Sequence, residues 1–177
     1  MLVDLVEFVC KGVHSIIKES SSQESGARSQ EKTSLQSISG FSNKGIKVIM
    51  VDHGTPAKPV NAVRNFLGKQ LAEMLDGVEF SVASMERRDG EAYDFNEPLL
   101  ERLLGSAPFD RGPIVLSMLF LNPGRHAGTG GDIDEICAKA QARFPELRIC
   151  KTGLVGESPK LVDILARNFE RDRAVLA

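Results

Sequence analysis

A fourfold alternation of short apolar runs and amphipathic segments, beginning at Lys44, constrains the fold of this chain most. The apolar runs, rich in β-branched and aliphatic residues as buried parallel strands are, lie at 46–51, 78–85, 113–121 and 147–152. Helical spacing predicts helices over 59–75, 96–105, 133–144 and 160–169. Because each strand is followed by a helix, the pattern predicts an α/β domain. Its four-stranded parallel sheet should carry helices on both faces.

Local signals at the helices give finer expectations. Pro98 should lie in the first turn of the second helix. Asp132 should be the N-cap of the third helix, with Glu135 completing a capping box. The first helix should bury one apolar face made of Val60, Val63, Phe66, Leu67, Leu71 and Met74.

The N-terminal quarter of the chain differs from the rest. Residues 1–18 carry apolar side chains at helical spacing, which predicts an amphipathic helical tail. Residues 19–43 are rich in Ser, Gln and Glu and predict a flexible linker, which leaves 44–177 as the folded domain. Early acidic residues argue against a secretory signal and a transit peptide. We therefore expect a cytoplasmic protein, with a plastid location as the alternative.

Composition excludes several classes of function. The formal net charge of the 177-residue chain is -2, so no global polycation is present and nucleic-acid binding is not expected. No apolar run is long enough to predict a membrane span. The three cysteines form no CxxC pair, which argues against a zinc ribbon or a dithiol redox site. Cys137 and Cys150 lie in apolar segments and should be buried, reduced thiols.

Titratable side chains follow the predicted strands. His53 comes directly after the first strand, His126 lies in the loop predicted after the third, and Glu86 follows the second. Open α/β sheets bind ligands at the carboxyl ends of their strands, so these side chains are candidate catalytic residues. Gly54 permits a sharp turn and close approach of backbone to a ligand, and Thr55 follows it. The remaining histidine, His14, lies in the tail and is expected to be incidental.

Basic residues cluster near the same strand ends. Together they predict a cradle for a polyanionic small molecule, because arginine pairs carboxylates bidentately. The members of this cluster are Lys58, Arg64, Arg87, Arg88 and Arg125. The glycine-rich segment 128–131 precedes a predicted helix, so it is either an anion-binding loop or a flexible lid.

Three segments carry a resemblance to a known family. VDHGTP at 51–56, LFLNPGRHAG at 119–128 and GLVGESPKLVDIL at 153–165 resemble the small class II chelatases, the CbiX-like sirohydrochlorin cobalto- and ferrochelatases. The resemblance covers about 45–170. It implies a half-size chelatase domain that forms a homodimer, with the tetrapyrrole held between two four-stranded halves.

The resemblance also implies roles for individual residues. His53 and His126 match the two family histidines, which handle the metal ion and the pyrrole protons, and Glu86 lies near the family's acidic position. The substrates would be Co²⁺ or Fe²⁺ and a tetrapyrrole, with no organic cofactor. Substrate contacts are expected from the residues around these strand ends, namely Gly54, Thr55, Arg64, Arg87, Arg88 and Arg125.

The sequence departs from the family pattern in places that bear on the substrate. Asp132-Ile133 follows His126 two residues later than is usual, and Ser158 stands where many relatives have histidine. Two other functions remain open. One is a non-catalytic carrier of a tetrapyrrole or a metal ion. The other is a phosphate-ester enzyme with His53 as nucleophile. Such an enzyme is expected to have an arginine before the HG turn, and Asp52 at that position counts against it.

Overall fold

The computed structural model describes the folded domain, residues 45–173 and 175. The predicted helical tail (1–18) and linker (19–43) lie outside the described residues. Within 45–173, none of the helices combines the length and the hydrophobicity that a membrane crossing requires.

Strands and helices alternate along the chain in the predicted order. The strands are β1 (Lys47–Asp52), β2 (Glu79–Ser84), β3 (Gly112–Met118) and β4 (Leu147–Lys151). The helices are α1 (Lys58–Met74), α2 (Leu100–Leu103), α3 (Gly124–Ala127), α4 (Asp132–Arg143) and α5 (Pro159–Arg173). Short 3₁₀ helices lie at Glu91–Asn96 and Val155–Glu157.

The four strands form one parallel sheet in the order β2-β1-β3-β4, which confirms the predicted fold class. β1 and β3 are neighbours, and Val51 of β1 lies in register with Met118 of β3. The connections that leave these two strands therefore emerge from adjacent points on the same edge. The sheet places the His53 turn beside the segment that leads to His126.

Apolar side chains cover both faces of strand β1. Ile49 and Val51 of β1 pack on the face covered by α2 and α4, whereas Val48 and Met50 pack on the face covered by α1. All four side chains are buried. Removing apolar surface from water on both faces of β1 stabilises this strand, which ends directly before His53.

Helix α1 uses a different face from the one predicted. Leu67 and Leu71 are buried as expected, but the other predicted members of the apolar face are exposed: Val60, Val63, Phe66 and Met74. The reason is Gly68, which packs so closely that a Cβ there would lie 2.4 Å from Cγ1 of Val82. The helix therefore meets the sheet along the row of residues that contains this glycine, and it leaves an apolar stripe on its outer side.

Three local predictions were also wrong. Pro98 precedes helix α2, which begins only at Leu100, because residues 91–96 take up a 3₁₀ turn instead. His126 lies on the single helical turn α3 rather than in a loop. Asp132 is not a cap: Gly131 is the N-cap of α4, without a side-chain hydrogen bond, because the Asp132 carboxylate turns back to His126.

The two described cysteines differ in burial. Cys137 is buried as predicted, and burial raises the pKa of its thiol to about 11. Cys150 is exposed, which contradicts the prediction. β4 is an edge strand, and the side of it that carries Arg148 and Cys150 faces outward. An apolar residue pattern in an edge strand does not ensure burial.

Candidate functional site

The turn that carries His53 is shaped by glycine. Gly54 has a φ of 92°, and a Cβ there would lie 1.9 Å from the carbonyl oxygen of Glu86. The amide of Glu86 donates a hydrogen bond to the His53 carbonyl at 3.2 Å. The absence of a side chain at position 54 lets the ends of β1 and β2 approach. Gly54 thus brings Glu86 beside His53, and its contact with a ligand stays a prediction.

Glycines also shape the segment that carries His126. A Cβ on Gly131 would lie 2.4 Å from the Arg125 carbonyl oxygen, and one on Gly128 would lie 2.6 Å from that of Gly124. The 128–131 segment thus folds tightly against α3 and connects it to α4. Close backbone packing explains Gly128 and Gly131, whereas Gly130 has open space around it and a positive φ of 72°.

The structure brings the two histidine rings into contact. Their centroids are 4.6 Å apart, and the ring planes meet at 71°, an edge-to-face arrangement. The side chain of His53 is 47% exposed and that of His126 is 30% exposed. Both imidazoles are therefore available to a ligand that lies over this edge of the sheet.

Each histidine has its own carboxylate. Nε2 of His53 lies 3.4 Å from Oε1 of Glu86, and its Nδ1 lies 3.2 Å from the carbonyl oxygen of Gly54. Nδ1 of His126 hydrogen-bonds the carboxylate of Asp132. Because an ionised carboxylate only accepts, Nδ1 of His126 carries the proton, and Nε2 of the neutral ring keeps a free lone pair.

Asp132 is the site residue that sequence reasoning missed. Its place at the start of a predicted helix favoured a capping role. The usable signal was its position six residues after His126 at the same end of the sheet. A loop this short returns the chain to the histidine that it has just left.

Arg64, predicted to bind substrate, is buried instead. It is 3% exposed, and its Nη1 donates to Ser84 Oγ at 2.5 Å and lies 3.6 Å from Oδ1 of Asp52. Burial lowers the pKa of Arg64, and the Asp52 charge opposes that shift. The prediction is wrong because position 64 lies on the inner face of α1, where no ligand reaches it.

The guanidinium of Arg87 also binds groups of the protein itself. Its Nε donates to Glu97 Oε1 at 2.8 Å, its Nη2 pairs with Asp94 at 3.1 Å, and its Nη1 donates to the carbonyls of Arg88 and Gly90. These contacts fold the segment between β2 and α2. They use most of the N–H donors of Arg87 within the protein, and its contact with a substrate stays a prediction.

Thr55 also turns inward. Its amide donates to Asn96 Oδ1 at 3.0 Å, and its hydroxyl accepts from the Ala57 amide at 3.1 Å. Both groups therefore shape the turn before α1, and the ligand contact of Thr55 stays a prediction.

Three basic side chains remain exposed around the histidine pair. The Arg125 side chain is 83% exposed, with its Nε 3.8 Å from Oδ2 of Asp132. Arg88 lies over the Tyr93 ring, and Lys58 lies over the Phe95 ring, each 5.9 Å from the ring centroid. These three cations are the members of the predicted basic cluster that stay accessible to solvent.

The arrangement defines a class of site. Neighbouring imidazoles, each beside a carboxylate, lie at the open edge of a small parallel α/β sheet, and no three His, Cys, Asp or Glu side chains within residues 45–173 form a closed metal cage. Such an arrangement leaves the imidazoles open to a ligand instead of enclosing them in a structural metal site.

The comparison with protein families agrees with this class of site. The CbiX family model matches residues 47–172, and the chain belongs to the CbiX family. This is a class II chelatase family, whose chemistry is the insertion of a metal ion into a tetrapyrrole. Among curated proteins and solved structures, no significant match to the chain is found.

Proposed function

We propose that this protein inserts Co²⁺ or Fe²⁺ into sirohydrochlorin, or a closely related tetrapyrrole, in cobalamin or siroheme synthesis. The observation that carries the proposal is the contact between His53 and His126 at 4.6 Å, with a separate carboxylate beside each ring. Insertion exchanges one divalent metal ion for two pyrrole N–H protons. The site must therefore offer both a metal ligand and a proton acceptor.

His126 is the better metal ligand of the two. Its Nδ1–H is held by Asp132, which leaves the Nε2 lone pair for a metal ion. Metal-bound histidines commonly donate their other ring N–H to a carboxylate, which orients the ring and raises its basicity as a ligand. The Asp132–His126 pair has this arrangement.

His53 and Glu86 are suited to accept protons. Both ring nitrogens of His53 face oxygens, that of the Gly54 carbonyl at 3.2 Å and that of the Glu86 carboxylate at 3.4 Å. A proton taken by this imidazole from a pyrrole nitrogen is stabilised by the adjacent carboxylate, and Glu86 is exposed enough to pass it to water.

The composition of the site favours transfer over storage. Imidazole is a borderline ligand that suits Fe²⁺ and Co²⁺, and two imidazoles without a thiolate leave most coordination positions open. The nitrogens of a tetrapyrrole can fill those positions and draw the ion away. A carrier needs no proton acceptor, so the His53–Glu86 pair favours catalysis.

Binding of the tetrapyrrole is assigned to the exposed cations. Arg88 follows β2, Arg125 directly precedes His126 on α3, and Lys58 begins α1. Sirohydrochlorin is a polycarboxylate, and charge-assisted hydrogen bonds to arginine are the strong contacts for such groups. No organic cofactor is required by this scheme.

The proposal includes a homodimer. One domain offers a single open edge, which contacts only one side of a flat macrocycle. Large apolar side chains that a partner copy would cover are exposed on two helices: Val60, Val63 and Phe66 on α1, and Val162, Leu165 and Phe169 on α5. Sedimentation at micromolar concentration should show a dimer, and a fully active monomer would contradict this part of the proposal.

The test is a direct insertion assay. Purified protein is mixed with sirohydrochlorin and either Co²⁺ or Fe²⁺, and the absorbance of the metallated macrocycle is followed against a protein-free control. We expect insertion to be accelerated by wild type and not by the His53→Ala/His126→Ala double variant. Tight binding of sirohydrochlorin or metal without accelerated insertion would establish the carrier alternative.

A further inference from the structure

A buried polar cluster lies directly beneath the His53 turn. It consists of Asp52 at the end of β1, Ser84 at the end of β2, Arg64 of α1 and Asn96. Ser84 and Asn96 are fully buried, and the Arg64 side chain is 2% exposed. Burying a cation among apolar side chains is costly, and apolar residues commonly replace such groups without loss of stability. Stability alone therefore does not account for this cluster.

The cluster holds the residue that precedes His53. The Ser84 hydroxyl donates to Oδ1 of Asp52 at 2.7 Å while it accepts from Nη1 of Arg64 at 2.5 Å. The guanidinium also lies 3.6 Å from the same carboxylate oxygen. Since Met85 donates its amide to the Asp52 carbonyl at 2.7 Å, both the backbone and the side chain of Asp52 are restrained.

The same cluster holds the chain on the other side of His53. Asn96 pairs with the backbone of Thr55 through two hydrogen bonds, Oδ1 accepting at 3.0 Å and Nδ2 donating at 2.9 Å. Its own carbonyl accepts from Nη1 of Arg64 at 3.3 Å. The two-residue turn His53-Gly54 is thus fixed at both ends by groups that meet at one guanidinium.

We infer that Arg64, Ser84 and Asp52 are positioning residues that set the His53 ring against the ring of His126. The role in catalysis rests on the proposed function. None of the three side chains lies where substrate binds. Their effect passes through the His53 turn, which must place its ring within reach of the ion that His126 holds. Displacement of a reacting group by about 1 Å costs as much as 100-fold in rate.

The first test replaces Ser84 by Ala, which removes the bridging hydroxyl with the smallest change in volume. We expect kcat for insertion to fall about 10- to 100-fold while KM for the tetrapyrrole stays within about twofold. A rise in KM with kcat unchanged, or no change in either constant, would overturn the inference.

A second readout needs no substrate. With ring-labelled histidine, the NMR signals of His53 report its contact with the His126 ring, and we expect them to shift in Ser84→Ala. Unchanged His53 signals would overturn the positioning role whether or not insertion is detected. If wild type shows no insertion but the signals do shift, the proposed function fails while the positioning role stands.

Paired charge removal separates positioning from charge compensation. Arg64→Met alone leaves the Asp52 charge unpaired, whereas Arg64→Met/Asp52→Asn removes both charges. We expect the double variant to regain thermal stability relative to Arg64→Met, with kcat still at least about tenfold below wild type. Recovery of kcat together with stability would show that the cluster only compensates charge.

Leu147→Ala is the control for simple destabilisation. Leu147 is buried at the amino end of β4, whereas the histidines follow the carboxyl ends of β1 and β3. This variant should lose stability with unchanged kcat of the folded protein and unchanged His53 signals. A kcat loss equal to that of Ser84→Ala would show that general destabilisation explains both.

Discussion

The two halves of the histidine site are built in different ways. The strand half, His53 with Glu86, follows β1 and β2 and rests on a buried polar cluster. The helix half, His126 with Asp132, lies on α3 and the first turn of α4, with side chains 30% and 36% exposed. Buried side chains hold the turn of the strand half on both sides of His53, although His53 and Glu86 are the more exposed pair, at 47% and 59%. The difference fits a division of labour in which an exposed proton acceptor on a restrained turn faces a metal ligand that is oriented by its own carboxylate.

Removal of the two imidazoles is the strongest test of that division. We expect His53→Ala and His126→Ala each to lower insertion by about 100-fold or more, because each removes a group that takes part in the exchange. Metal binding by calorimetry should fall far more in His126→Ala than in His53→Ala. Equal losses of metal affinity would remove the distinction between the halves, and loss of circular dichroism in either variant would make that histidine structural.

Gly54 tests whether the strand half depends on close backbone packing. Gly54→Ala should lower the free energy of unfolding by about 3 kcal/mol or more, since it combines an unfavourable positive φ with a collision against the Glu86 carbonyl. Gly130→Ala, also at positive φ but with open space around it, is the matched control and should cost about 1 kcal/mol. Urea denaturation measures both, and equal losses would contradict the packing argument.

Asp132→Asn sharpens the description of the helix half. The amide still fits the space but does not hold the His126 Nδ1–H as a carboxylate does. We expect metal affinity or insertion to fall about 10- to 100-fold, as is usual for such partners of ligating histidines. Glu86→Gln is the counterpart in the strand half and should lower kcat with little change in metal affinity. The reverse pattern would exchange the two assigned roles.

Arg125→Ala should act on substrate binding alone. It removes one exposed contact to a tetrapyrrole carboxylate, so KM should rise about tenfold, equivalent to about 1.4 kcal/mol, with kcat unchanged. Arg87→Ala, which breaks contacts within the protein, should instead lower the thermal unfolding temperature. A lower kcat for Arg125→Ala with unchanged substrate affinity would indicate a direct role beside His126.

Acid should weaken the fold through one carboxylate near each half. A hydrogen bond from Lys151 and the Gly130 amide hold the pKa of Asp134 below its ordinary value. Burial raises the pKa of Glu97, but hydrogen bonds from Arg87 and the Leu99 amide outweigh it and leave the pKa lowered. A carboxylate whose pKa is lower in the folded than in the unfolded state stabilises the fold at pH values above its unfolded pKa. This stabilisation is lost as the pH falls below about 4.3.

Urea denaturation from pH 6 to pH 3 checks this expectation. Glu97→Gln and Lys151→Met should each flatten the dependence of unfolding free energy on pH, because each removes one shifted pKa. A slope unchanged in both variants would assign acid sensitivity to other carboxylates.

Much of the architecture follows from local sequence pattern. Buried β-branched runs and helical periods are set by near neighbours in the chain, so the strand-helix order and the parallel sheet were predictable. The histidines were found because parallel strands end on one edge, which is a topological rule rather than a detail of packing. The resemblance to chelatases added to this, and the CbiX match over 47–172 confirms it.

Side-chain partners were decided only by the tertiary structure. Arg64 and Arg125 are both arginines near strand ends, yet Arg64 is buried against Ser84 and Arg125 is 83% exposed. Arg64 faces inward because the close packing of Gly68 on Val82 sets the rotation of α1. Asp132 became the partner of His126 because tight glycine packing folds the chain back. Sequence by itself determined which elements form and in what order. Which face each element buries, and which charges meet, depended on contacts between residues far apart in the chain.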